Sequence, residues 1–136
     1  MLLGTQATGD FVVFLMMEIE VLTIGDTRIT LLKSLGIVIS GIDDALDLMG
    51  EASYRESYGI ILHKDQMTDA FFDLKTGIAG EILQKFSTYN MQLAIIGDFS
   101  KITSKSLSDF IRESNRYGRI NFVSSLEEAK EKLLKK

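Results

Sequence analysis

The residues with the most chemical potential fall in two short runs. His63-Lys64-Asp65 puts an imidazole, an ammonium and a carboxylate in succession, with Asp73 and Lys75 a little further on. Asp98-Phe99-Ser100-Lys101 adds a carboxylate, a hydroxyl and a second ammonium, ahead of Thr103, Ser104, Lys105 and Ser106. Imidazole titrates near neutrality, so the sole histidine, oriented by Asp65 or Asp73, has the chemistry of a general base. The plainer reading of His63 is a strand-end residue that hydrogen-bonds locally. Cysteine is absent, no serine stands in a nucleophile-elbow sequence, and one histidine is too few for a typical catalytic zinc site. The lysines and hydroxyls from Ser100 to Ser106 precede a helical pattern, whose free N–H groups and dipole suit a phosphate. They lack the second glycine and the Gly-Lys-Ser/Thr ending of a Walker loop, and capping of the helix by the hydroxyls is the plainer alternative. Asp43, Asp44 and Asp47 look like a metal cluster on paper. Acidic residues in a first helical turn complement the helix dipole, so no metal and no other cofactor is expected.

Ligand groups in a parallel α/β sheet usually lie beyond the carboxyl ends of the strands, near a topological switch point, and both runs meet that condition in the pattern that follows. Glu18 to Ile24 and Thr27 to Leu32 are β-rich runs around the turn residues Gly25-Asp26, which predicts an opening hairpin. Ile37-Val38-Ile39 adds a short extended piece. From Ile42 the positions Ala45, Leu46, Met49 and Ala52 have helical spacing, with Ser40 or Asp43 as the cap. Gly59 to His63 is a strand, and Gln92 to Gly97 a central one buried on both faces. A helix is expected from Ser104 to Arg116, stopped by Gly118, then a strand from Arg119 to Val123. Ser125 and Glu128 form a capping box for a C-terminal helix whose inner stripe is Leu126, Ala129 and Leu133. The fold class is therefore α/β: an N-terminal β-hairpin followed by β-α units, with helices packed on a mostly parallel sheet.

Between the two chemical runs lies a further helical pattern, from Phe71 to Tyr89, that buries Phe71, Leu74, Ile78, Ile82, Leu83 and Phe86 on a 3.6-residue period. It contains Gly77 and Gly80. Each interior glycine costs a helix about 1 kcal/mol relative to alanine, so something is expected to approach that backbone closely. The helix's own sheet, reached through Gly77, Ala79 and Gly80, is one candidate. A groove for another helix or subunit is the other, since the spacing of the two glycines puts them on roughly one face.

Length and composition narrow the classes. At 136 residues the chain fits one domain able to bury a core without cross-links. The net charge of -4 argues against a broad electrostatic footprint for nucleic acid. Residues 1–16 read as a leader or extra arm, and 17–136 as the domain. Phe11 to Met17 is too short to span a bilayer, and no basic residue precedes Arg28 to make a signal peptide, which argues for a cytoplasmic protein without membrane insertion. Met16 and Met17 stand just before the first strand, so either the natural start is internal or the leader is an added strand or packed arm.

The order of elements from Glu18 onward resembles the STAS fold of anti-sigma-factor antagonists and sulfate-transporter cytoplasmic domains. That family carries an Asp-Ser-Ser/Thr-Gly-Leu segment after its third strand, and this chain has Asp73-Leu74-Lys75-Thr76-Gly77-Ile78 in the equivalent place. Aligned on the glycine, Thr76 matches the second hydroxyl position and Lys75 replaces the phosphoacceptor serine. The segments Asp44 to Met49, Phe71 to Gly77, Glu81 to Phe86 and Gly97 to Lys101 also resemble the recurring stretches of a bacterial and archaeal family, domain of unknown function 4180, whose proteins typically start near Met17 here. Together these imply a non-enzymatic, regulatory protein-interaction module acting through Asp73, Lys75, Thr76, Gly77 and Gly80. The competing expectation is a small-molecule or phosphate binder, or weak enzyme, in a cleft lined by His63, Lys64, Asp73, Asp98, Ser100, Lys101 and Ser104. A homodimer is a third, and the identity of any protein partner is left open.

Overall fold

A computed structural model of the chain describes residues 18–134, so the expected leader lies outside the described residues. Strand β1 (Ile19–Ile24) folds back on β2 (Thr27–Leu32) as an antiparallel hairpin, Ile19 opposite Leu32 and Ile24 opposite Thr27. Gly25 sits at φ +62°, a conformation that suits glycine at a tight turn. Strands β3 (Gly59–His63), β4 (Gln92–Ile96) and β5 (Ile120–Val123) then add in parallel, giving the order β1-β2-β3-β4-β5. The helices are α1 (Ile42–Tyr54), α2 (Ile78–Thr88), α3 (Lys105–Tyr117) and α4 (Leu126–Leu134). The α/β class, the hairpin and the mostly parallel sheet are as the sequence pattern predicts.

The strand order never reverses, so the sheet has no topological switch point. Right-handed crossovers that always step in the same direction place their helices on one face. That face holds Ile60, Leu62, Leu93, Ile95, Ile120 and Phe122 of the strands against α1, α2 and α3. The alternate strand residues Ile61, Ala94 and Val123 point to the other face, where Ala129 and Leu133 of α4 cover them. At the carboxyl ends of the strands a ligand crevice must therefore come from the loops and not from a parting of helices at a reversal.

Edge β5 is sealed by a side chain. Asn115 of α3 accepts from the Phe122 N–H at 2.7 Å and donates to the Phe122 carbonyl at 3.3 Å, as a neighbouring strand would. Local signals at other ends hold with small shifts. Ser104 caps α3 by accepting the Leu107 N–H, and Gly118 closes it at φ +86°. At α4 the Ser125 hydroxyl accepts the Glu128 N–H, but the Glu128 carboxylate reaches back to Ser124 rather than Ser125. Neither expected cap serves α1: its N-cap is Gly41, and the Asp44 carboxylate accepts the Ser40 N–H. Ile37-Val38-Ile39 gives only an isolated bridge from Ile39 to Met67.

The main departure lies at Phe71 to Gly77. The expected helix start is replaced by two short 3-10 turns, Asp69–Phe72 and Leu74–Thr76, which follow a first such turn at Lys64–Gln66, and α2 begins only at Ile78. Gly77 interrupts the helical path with φ +79°, and Asp73 caps the preceding turn by accepting the Lys75 N–H. Phe71 and Leu74 fall in successive 3-10 turns separated by the extended Asp73, yet both pack on the core, so the hydrophobic pattern alone does not separate the two conformations.

Candidate functional site

The loops beyond β3 and β4 are bound together by aromatic rings. Phe71 and Phe72 from the 3-10 segment, Phe99 after β4, Phe110 of α3 and Phe122 of β5 form a chain of ring contacts with centroids 5.0 to 6.4 Å apart. Such pairs add about 0.5–1.5 kcal/mol each beyond simple burial, so this end of the sheet is held firmly. Lys64 crosses it: its ammonium lies 5.7 Å from the Phe72 ring centre and 5.6 Å from that of Phe99. Its stem passes over Gly97, where an added Cβ would stand 2.8 Å from the Lys64 Cβ. A glycine ends β4 because the lysine needs that space.

Asp98 is exposed and turned back on its own loop. Its carboxylate accepts from the Ser100 hydroxyl at 2.6 Å and the Ser100 N–H at 3.0 Å. The Ser100 hydroxyl first, then its N–H, hold the Asp98 carboxyl below the usual carboxylate range; desolvation opposes them and the Lys64 charge assists. Lys64, Asp98 and Ser100 are thus brought together.

His63 faces another way. It lines a hollow of about 490 Å³ with Leu31, Ser34, Leu35, Asp65 and Gln66, between the ends of β2 and β3. Asp98 and Ser100 instead border a hollow of about 440 Å³ with Ser124 and Glu128, toward β5. Asp73 and Lys101 are exposed and line neither hollow, and Ser104 is engaged as the cap of α3. Gln66, which the sequence pattern does not single out, organises the His63 side. It is buried, accepts the His63 N–H at 2.7 Å, and donates to the carbonyls of Ser34 at 2.7 Å and Leu32 at 3.3 Å. A lone polar residue between strands gives no sequence signal for that role.

The five residues of the expected interaction surface fall together on one exposed knuckle. Asp73, Lys75, Thr76, Gly77 and Gly80 are all exposed at the entry to α2. The Thr76 hydroxyl donates to the Ala70 carbonyl at 2.7 Å, with that of Asp73 at 2.9 Å, and accepts the Ile78 N–H at 3.3 Å. The hydroxyl thereby pins the turn. Close packing of this stretch on its own sheet holds for Ala79, which is fully buried, but not for the glycines: an added Cβ at Gly77 or Gly80 meets nothing within 4 Å.

The fold and these surfaces define a small α/β domain with an aromatic-packed loop end and an exposed glycine knuckle. The chain belongs to the family described as domain of unknown function DUF4180, whose model matches residues 24–133. No curated protein and no solved structure matches it. None of the helices among the described residues is long and apolar enough to cross a membrane.

Proposed function

We propose that the protein is a non-enzymatic, cytoplasmic regulatory module of STAS-like architecture that binds a protein partner through the knuckle at the entry to α2. Gly80 carries the reading. It lies in the first turn of α2, is exposed, and has open space where a side chain would stand, so the fold itself makes no demand for glycine there. A backbone left bare at a cost in helix stability suits close approach by another chain. The surrounding groups add recognition without catalysis: Asp73 and Lys75 offer opposite charges on the rim, and Gly77 sharpens the turn between them.

Thr76 gives this surface a constitutive character. Its hydroxyl proton is committed to the Ala70 and Asp73 carbonyls, and Lys75 stands where the resembling family has its phosphoacceptor, so the reading is of an interface without a serine switch. Placement of His63 and Ser100 in separate hollows weighs against a shared catalytic cleft.

The test is affinity capture from native lysate with the wild-type chain, Gly80→Leu and Lys101→Ala. A defined partner recovered with the wild type and Lys101→Ala, and lost at least tenfold with Gly80→Leu, is the expected outcome. Equal recovery by all three removes the knuckle as the interface.

A further inference from the structure

The opposite end of the sheet has a second built feature, where α1 and α2 finish side by side. After α1 the Ser57 N–H donates to the Ala52 carbonyl at 2.8 Å and the Glu56 N–H to that of Ser53 at 2.9 Å. After α2 the same two bonds recur, Met91 to Phe86 at 2.9 Å and Asn90 to Ser87 at 3.2 Å. These are matched Schellman closures, and both use a residue other than glycine in the left-handed position, Glu56 at φ +60° and Asn90 at φ +54°. The Gln92 N–H then donates to the Tyr58 carbonyl at 2.9 Å and ties one exit to the other. Tyr58 and Tyr89 are left about half exposed, at 54% and 56%, on the rim of a hollow of about 400 Å³.

The lining of that hollow is uncharged. Leu46, Met49 and Met91 give it an apolar wall, with Met49 and Met91 buried, Ser53 adds a hydroxyl, and the exposed Gly50 completes the lining. Gly50 stands inside α1, exposed, with nothing within 4 Å of an added Cβ, although alanine would favour the helix. We propose that this hollow is a binding site for a small, neutral, planar aromatic molecule. Its volume falls within the range of about 300–1,000 Å³ typical of ligand pockets. A hollow lined by seven residues is of the scale of a small molecule. Phenol rings and thioethers favour an aromatic face, and the adaptable methionines adjust to its outline. A charged ligand would lose hydration with no opposite charge in the lining to replace it. Ser53, Tyr58 and Tyr89 are the hydroxyl-bearing residues of the lining and the ones able to hydrogen-bond a polar substituent through a side chain.

Indole is a suitable probe. Titrated against the ¹⁵N-labelled protein, it is expected to give saturable amide shifts confined to Gly50, Tyr58, Tyr89, Met91 and their neighbours. Gly50→Leu sets a bulky side chain into open space at the lining of the hollow and should weaken binding at least tenfold while keeping the wild-type dispersion of amide signals. Tyr89→Ala, which removes a half-exposed rim side chain, should weaken it several-fold and serves as the readout if Gly50→Leu does not fold. Indole-3-acetate, the same ring with a carboxylate, should bind at least tenfold more weakly than indole. The proposal is overturned by the absence of saturable shifts up to the solubility of indole, by shifts centred elsewhere, by variants that bind as the wild type does, or by equal affinity for the charged analogue. The site shares no lining residue with the glycine knuckle, so its failure leaves the partner-binding reading untouched.

Discussion

Gly97 and Gly80 each stand near the border of a regular element, just after β4 and in the first turn of α2, yet the molecule uses them in opposite ways. At Gly97 the missing Cβ makes room for the Lys64 stem at 2.8 Å and the Phe99 ring edge at 3.1 Å. At Gly80 it makes room for nothing the described chain supplies within 4 Å. The first glycine belongs to folding: it lets β4 end beneath a lysine that spans two aromatic rings. The second leaves backbone accessible at a surface. A glycine's role is thus read from what its side chain would touch, and only where that space is empty does it invite a partner.

The sharpest way to break this contrast is Gly97→Ala. Its Cβ would collide with the body of the Lys64 side chain, not its mobile tip, so the substitution should destabilise the protein by about 1–3 kcal/mol. Urea denaturation measures it, and a double-mutant cycle with Lys64→Gly should return part of the loss, because the colliding Cβ is then gone. A neutral Gly97→Ala would mean that Lys64 yields freely and that the crowded glycine is no different from the open one.

Gly77 and Gly80 divide the knuckle in the same manner on a smaller scale. Gly77 is required by its backbone at φ +79°, where any other residue is strained, so Gly77→Ala should lose about 1–2 kcal/mol. Gly80 has ordinary helical surroundings and free space, so Gly80→Ala should gain about 0.5–1 kcal/mol. Opposite signs in thermal or urea melts are expected three residues apart. Two losses would show that Gly80 serves the fold after all, and the argument for a bare interface would go with it.

These distinctions were largely invisible to sequence reasoning, for physical reasons. Strand and helix alternation was legible because short buried apolar runs such as Leu93 to Ile95, and stop residues such as Gly118, act locally. The start of α2 was not, since Phe71, Leu74 and Ile78 satisfy a helical period while two separate 3-10 turns carry the first two. Residues whose work is done across the sheet also escaped. Gln66 joins the ends of β2 and β3, and Asn115 seals β5 from the neighbouring helix; neither role leaves a trace in spacing. The proposed knuckle residues share one exposed surface because they lie close together along the chain. The relation of His63 to Ser100 depends on which hollow each loop borders, and that is set by side-chain packing.

The smallest expected effect tests the electrostatic side of the crowded end. Asp98 is exposed, and its carboxyl is held below its ordinary value of 3.8 mainly by the Ser100 hydroxyl, with Lys64 a lesser cause. A carboxyl depressed in the folded state favours folding above its unfolded value and loses that contribution as pH falls through the lower, folded one. Wild type should therefore exceed Asp98→Asn in stability at pH 7, with the gap closing in acid below the ordinary value. Carboxyl NMR titration should also show Ser100→Ala raising the Asp98 midpoint more than Lys64→Ala does. The reverse order would make the lysine the principal partner of Asp98, and the strand end an ion-paired loop in place of a lysine laid over aromatic rings with a self-contained Asp-Ser turn beside it.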